Sequence, residues 1–311
     1  MSKRISRFTV RYLLACLTVL FFSLISLAGD EGKSFLWEAK SADATIYILG
    51  SLHLCKPEIY PLCPVISAAY ESSDILAVEI NINDPKSQMK ALAIGLQKGM
   101  YKGDKNLGNS LSGKSLARLK MFLAENGIQY DLIQQMKPWY LSVFLTMREA
   151  GRLGYKPADG MDLYFLKRAA ADKKTILALE KIDEQYEVLA GESDKIQEIG
   201  LMATLDEIGE TEEMVASMTR AWIAGDAEAL HKIIDENRNK TPELESFYKK
   251  MFEDRNAKMV EKLLLHAFGG NRLFVVVGSG HLVGEQSIPV LLEQKGFIVR
   301  QMECAIRKVI M

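Results

Sequence analysis

The stretches IYILGSLHL (Ile46–Leu54) and LFVVVGSGHLVG (Leu273–Gly284) share one layout: an apolar, β-branched run ends in glycine, and a histidine follows three positions later. The chain holds 4 histidines, and two of them, His53 and His281, occupy this context. An unbroken aliphatic run of this length reads as a strand buried on both faces. Gly50 and Gly278 would let the backbone turn sharply at the strand end, folding each imidazole back over the sheet edge. Ligands and catalytic groups in open α/β sheets collect at the carboxyl ends of strands. If the two units are neighbours in one sheet, His53 and His281 face each other across one cleft.

Outward from these units, FLWEA (Phe35–Ala39) and TIYIL (Thr45–Leu49) around a Ser-Ala-Asp turn predict a hairpin. Ile66, Ala69 and Tyr70 at helical spacing predict a helix over Pro64–Ser73. ILAVEINI (Ile75–Ile82) reads as a buried strand with Glu79 in its middle, and KTILALE (Lys174–Glu180) as a strand ending in Glu180. A carboxylate in such a strand must be paired or functional, because burying it alone costs several kcal/mol; Arg255 and Arg272 are candidate partners for Glu79. From about Pro85 to His266 the pattern is otherwise helical. Met214, Met218 and Trp222 form one stripe read as core packing, Gly225 a C-terminal cap, and Asp226 the cap of the next helix. RLFVVVG, SIPVLLEQKG and FIVRQME return to strand, helix and strand. The expectation is an α/β core completed by distant segments, with a helical insertion at about 85–267 over its functional edge.

The first residues differ. Lys3, Arg4, Arg7 and Arg11 precede an apolar run from Tyr12, and Ser26 and Ala28 stand before Asp30. This is the layout of a secretory signal over residues 1–28, or of an uncleaved membrane anchor. Loss of those four cations takes the formal charge from −1 to −5. The mature chain, 29–311, is expected as one α/β domain in the periplasm, touching membrane only through an uncleaved leader. A nearly neutral chain of pI about 6.5 gives no electrostatic ground for a nucleic-acid partner. Cys55, Cys63 and Cys304 remain after the leader; Cys55 and Cys63 either close a short disulfide loop after His53 or are free thiols, and no CxxC zinc spacing exists.

Two neutral imidazoles and a carboxylate make a three-ligand site with room for water, the arrangement of hydrolytic metal centres, and the same set can hold iron. The plainer reading makes both histidines hydrogen-bonded turn residues. His231 and His266 lie in helical segments and are assigned no chemistry. HExxH, G-x-S-x-G, the Walker loop and G-x-G-x-x-G are all missing, which sets aside standard zincins, serine hydrolases of the elbow type and nucleotide folds.

In order, the chain shows GSLH, SDILAVEI with Glu79, MKPWYL, GMDLYFLKRAAADKKTILALEKIDEQ, EDRNAKM and GSGH. That series resembles the TraB/GumN family, which includes PrgY-type proteins and the Tiki proteases. The resemblance implies a metal-dependent hydrolase related in fold to erythromycin esterases and ChaN-like proteins. His53 and His281 would be metal ligands and Glu79 a ligand or general base, with manganese or cobalt, or else zinc or iron, as the metal. Arg255 and Asn256 match the family's DRN motif, where Arg255 would steady a substrate carboxylate or an oxyanion, and Glu180 stands on another family motif. The substrate would be a peptide or small molecule; the alternative is a non-catalytic protein binding a peptide, haem or metal.

Overall fold

A computed structural model describes residues 31–268 and 270–305; the leader at 1–28 lies outside them. Six strands form one mixed sheet in the order β4-β3-β5-β2-β1-β6. They are β1 (Glu31–Lys40), β2 (Thr45–Ser51), β3 (Ile75–Val78), β4 (Thr175–Ala178), β5 (Arg272–Gly278) and β6 (Ile298–Ala305). The expected hairpin is β1–β2, antiparallel with Leu36 opposite Leu49. The two glycine–histidine units are direct neighbours: β2 and β5 run parallel, from Thr45 beside Arg272 to Ser51 beside Gly278. Strand β3 lies parallel to β5 on its other side, and β4 parallel to β3. Strand β5 is thus central, and Leu273 to Val277 are buried on both faces. Each such side chain contributes about 1.5–3 kcal/mol over an exposed one, which is why this run carries no polar alternation.

Helices cover the sheet and continue from it as a second layer. Pro64–Glu71 and Met161–Ala171 bury Tyr70, Phe165 and Phe274 against one another, with ring centroids 4.9–5.6 Å apart. A separate apolar cluster, centred on Leu119, Leu141, Leu145 and Leu201, joins the helices Gly113–Glu125, Pro138–Arg152 and Asp194–Glu207. Gly225, at φ +65°, ends the helix Thr211–Ala224, and the Asp226 carboxylate accepts from Ala229 N at 2.9 Å to start the next. Among the described residues no helix is long and apolar enough to cross a membrane.

Four sequence expectations are corrected. Strand β3 ends at Val78, so Glu79 is the first residue beyond it rather than mid-strand. The run Asn81–Asp84 is turn, because Asp84 caps the helix Pro85–Gly99 by accepting from Ser87 N at 3.0 Å. Cys63 is bonded to Cys304 across 241 residues, not to Cys55. Cys63 caps the helix Pro64–Glu71, which packs beside β6, whereas Cys55 is buried and held in a bridge to Lys156, its thiol donating to Leu52 O at 3.3 Å. Finally, neither Gly50 nor Gly278 has positive φ; both are needed for close approach, as described below.

Candidate metal and hydrolytic site

The carboxyl ends of β5, β2, β3 and β4 converge at one edge of the sheet. From the four strand ends come His281, His53, Glu79 and Glu180. Backbone pairing continues past β3 and β4, with Glu180 N donating to Glu79 O at 2.9 Å, so the two glutamates lie side by side. Glu79 turns toward β5 and its Oε1 accepts the Gly278 N–H at 2.6 Å. Opposite that oxygen stand both imidazoles, His53 Nε2 at 3.9 Å and His281 Nε2 at 3.7 Å.

The far side of each ring is fixed. Asn256 donates from Nδ2 to Gln286 O at 2.7 Å, so its Oδ1 faces His281 and must accept from Nδ1 at 2.6 Å. His281 Nε2 therefore carries the lone pair. Asp162 Oδ2 accepts from His53 Nδ1 at 2.7 Å, which turns His53 Nε2 inward too. Asp162 is itself held by the Ser51 hydroxyl at 3.1 Å. His281 is buried against the Phe252 ring, 5.6 Å between centroids, whereas the His53 side chain is 58% exposed at the open side. Burial pushes the His281 imidazole down to about 4 and leaves it neutral at pH 7. The Asp162 carboxylate, helped by Glu79, raises the His53 imidazole above its usual range. Burial alone would raise Glu79; His281, His53, Arg255 and the Gly278 N–H outweigh it and hold the carboxyl down to about 2.

Arg255 sits beneath. Its Nε and Nη2 donate to Glu180 at 2.8 and 2.6 Å, Nη2 also to Glu79 Oε2 at 2.6 Å, and Nη1 to Met251 O at 3.1 Å. The guanidinium thus binds two carboxylates of the protein, while Arg272, the other candidate partner of Glu79, lies at the opposite end of β5. Gln185 bridges the same pair, donating to Glu79 and Glu180 at 3.0 Å each.

Among the described residues no group of three or more His, Cys, Asp or Glu side chains stands ready to hold a metal ion. The chemistry of the donors does fit one. Two imidazole Nε2 atoms and a carboxylate oxygen face one another, and with both rings neutral they would form a three-donor set. Glu79, Asp162 and Glu180 against Arg255 give the buried cluster a formal charge of −2, which a divalent ion would balance. Gly278 keeps this space open, and Gly50 lets the end of β2 pack against the core. A Cβ on Gly278 would lie 2.9 Å from His53 Nε2 and 3.3 Å from Glu79 Oε1, and one on Gly50 would lie 2.6 Å from the Phe35 ring. Gly278→Ala should therefore weaken divalent-metal affinity by about 10–100-fold, the range for disturbed metal-ligand support. Calorimetric titration with manganese checks this; unchanged affinity would refute the role given to Gly278.

The residues anticipated from sequence, His53, Glu79, Glu180, Arg255, Asn256, Gly278 and His281, all meet here, with Gly50 one residue before the end of β2. Asp162, Gln185 and Gly160 were not anticipated. Gly160 lies so close under the His53 carbonyl that no Cβ fits, and Met161 N donates to Leu52 O at 3.2 Å, which seats Asp162 in the first turn of its helix. The visible signal was the Gly-Met-Asp opening of that helix.

Comparison with known proteins agrees with this layout. The model of the TraB/PrgY/gumN family matches residues 35–301. The chain is 23% identical over 271 residues to the uncharacterized protein YbaP of Escherichia coli, covering 85% of this chain and 96% of that one. It is 21% identical to an uncharacterized protein of Treponema pallidum, covering 89% and 85%. To the metalloprotease TIKI1 of Danio rerio it is 22% identical, over 86% of this chain and 63% of that protein. No solved structure matches it significantly. With both glycine–histidine units and the Arg255 cluster inside the matched residues, the chain belongs to the TraB/PrgY/gumN family.

Proposed function

We propose that this protein is an extracytoplasmic, metal-dependent hydrolase of peptide or amide bonds, on a fold akin to the erythromycin esterases and ChaN-like proteins. The observation that carries the reading is the pair of imidazole Nε2 atoms, both turned inward and both within 4 Å of Glu79 Oε1. The similarity to metalloprotease TIKI1 supports hydrolysis in general terms. The Cys63–Cys304 disulfide supports a location outside the reducing cytosol.

His53, His281 and Glu79 would hold the ion, manganese or cobalt before zinc or iron, and it would supply Lewis acidity toward a carbonyl and a water. The remaining work falls to the chain's own groups. Asp162 and Asn256 keep both imidazoles in the tautomer that presents Nε2. Arg255 and Gln185 hold Glu79 and Glu180 in place, so Arg255 acts as a positioning residue, its N–H groups directed at protein carboxylates. Phe252 excludes water from the His281 side, and the exposed His53 side is where substrate enters. Because both imidazoles must be unprotonated to bind an ion, affinity should fall as pH is lowered.

A peptide-library incubation of the manganese-loaded protein tests the function. Product should accumulate beyond one equivalent of enzyme and stop doing so in His281→Ala. Capture of peptide with no turnover would replace the hydrolase reading with a binding protein of the same fold.

A further inference from the structure

We propose that a second cavity, behind the loop that carries His53, binds a long aliphatic chain with an anionic head. The cavity encloses about 900 Å³, near the top of the roughly 300–1,000 Å³ found for small-molecule sites. It lies between β1, the loop Leu52–Cys63, the helix Pro64–Glu71 and the last turn of the helix Thr211–Ala224. None of His53, Glu79 or His281 lines it.

The walls specify the body of the ligand. Phe35, Leu52, Ile59, Ile66 and Trp222 supply apolar surface, and Ile223 stands 52% exposed at the rim. Three of the wall hydroxyls are turned into the protein: Ser34 donates to Met302 O at 2.8 Å, Tyr60 to Asp159 O at 2.9 Å and Thr219 to Val215 O at 2.8 Å. Trp222 Nε1 likewise donates to Gly50 O at 2.6 Å. The buried Cys55 thiol is likewise engaged, donating to Leu52 O at 3.3 Å. A peptide backbone would find few side-chain partners for its amides here, and each buried unpaired amide is penalised. A hydrocarbon chain asks for none of these bonds.

The mouth specifies the head. Lys33 and Lys56 are exposed there, and among the described residues neither has an ion-pair partner; the Lys56 ammonium lies 4.6 Å over the Tyr155 ring. Of the two carboxylates on the lining, Glu71 is paired with Arg168 at 2.6 Å. Against the two ammonium groups the lining then sets one carboxylate, Glu58, outside that pair, and a carboxylate or phosphate head balances the remaining positive charge.

The experiment uses Trp222 as reporter, in the purified protein carrying Trp37→Phe and Trp139→Phe so that Trp222 is the one remaining of 3 tryptophans. Bromine quenches indole fluorescence only near contact. Free 9,10-dibromostearate, kept below its micelle concentration, should quench more than half the signal saturably at micromolar concentration. Unbrominated stearate should compete. Ser67→Phe, which fills the cavity from the helix surface, should abolish the quench. Lys33→Glu with Lys56→Glu should weaken stearate at least tenfold and leave stearyl alcohol unchanged. His53→Ala should quench like its parent, which separates this site from the hydrolytic one. Vesicles of dibrominated phosphatidylglycerol form the second arm: quenching there assigns the chain to a membrane lipid, and quenching by free acid alone assigns it to a diffusible amphiphile. No saturable quench in either arm, or a quench unchanged in Ser67→Phe, overturns the proposal, as does a hydrophobic hexapeptide that competes as well as stearate.

Discussion

Arg255→Met should lower the free energy of unfolding by about 3–5 kcal/mol, the range for stripping one partner from a buried ion pair. Glu79, Glu180 and Arg255 are each less than a tenth exposed. Without the guanidinium, Gln185 is left, among the described residues, as the one side-chain donor to Glu180 and to Glu79 Oε2. The loss comes from stranded charge rather than from lost packing, since methionine keeps most of the side-chain volume. Adding Glu180→Gln to Arg255→Met should therefore recover a good part of it, a non-additivity of the kind expected for residues in one network. Arg255→Lys should recover less, because an ammonium cannot reproduce the forked bonds to two carboxylates. The wild-type contribution of Glu79 also has a pH signature. With its carboxyl depressed from 4.5 to about 2, that contribution is complete above 4.5 and is lost as pH falls toward 2. Urea titrations of the four proteins decide the matter; an Arg255→Met loss below about 1 kcal/mol, the size of a surface pair, would show that the cluster is not the buried anchor described.

The second large effect belongs to the Cys63–Cys304 disulfide. It closes a loop of 241 residues and ties the helix cap after the His53 loop to the edge strand β6. Removing a native disulfide costs about 2–5 kcal/mol, more for longer loops in the chain-entropy account. Cys63→Ser and Cys304→Ser should each fall in that range and should not add when combined. Dithiothreitol should lower the melting temperature of the wild type to that of the variants and leave the variants unmoved. A wild type indifferent to reductant, or a thiol titration of the unfolded, unreduced protein that finds Cys63 or Cys304 reactive, would contradict the pairing.

The strands at the centre were legible because burial on both faces leaves a simple signature: Leu273–Val277 and Ile46–Leu49 are apolar without alternation, and two such runs ending in the same glycine–histidine spacing belong side by side. The histidines, Glu79 and Glu180 were legible for the same reason, each being the first chemistry-bearing residue at a strand end. Part of what supports them was not. Asn256 was marked by the DRN motif, but Asp162 and Gln185 arrive on helices whose placement depends on tertiary packing, and no local spacing couples Asp162 to a histidine 109 residues away. Cys55 and Cys63 looked like partners through sequence proximity alone, yet the loop between them leaves Cys55 in the core and brings Cys63 to β6. The glycines were noticed for the wrong property: Gly278 has ordinary φ and matters because a methyl group there would stand between His53 and Glu79.

The most direct measurement is the stoichiometry and affinity of manganese and cobalt for the wild type, His53→Ala and His281→Ala, each checked for an unchanged circular dichroism spectrum. One ion per chain in the wild type, with affinity reduced at least a hundredfold in both variants, is the expected result and places both glycine–histidine units on a single site. Equal affinity in all three proteins, or no binding of manganese, cobalt, zinc or iron by the wild type, would contradict it.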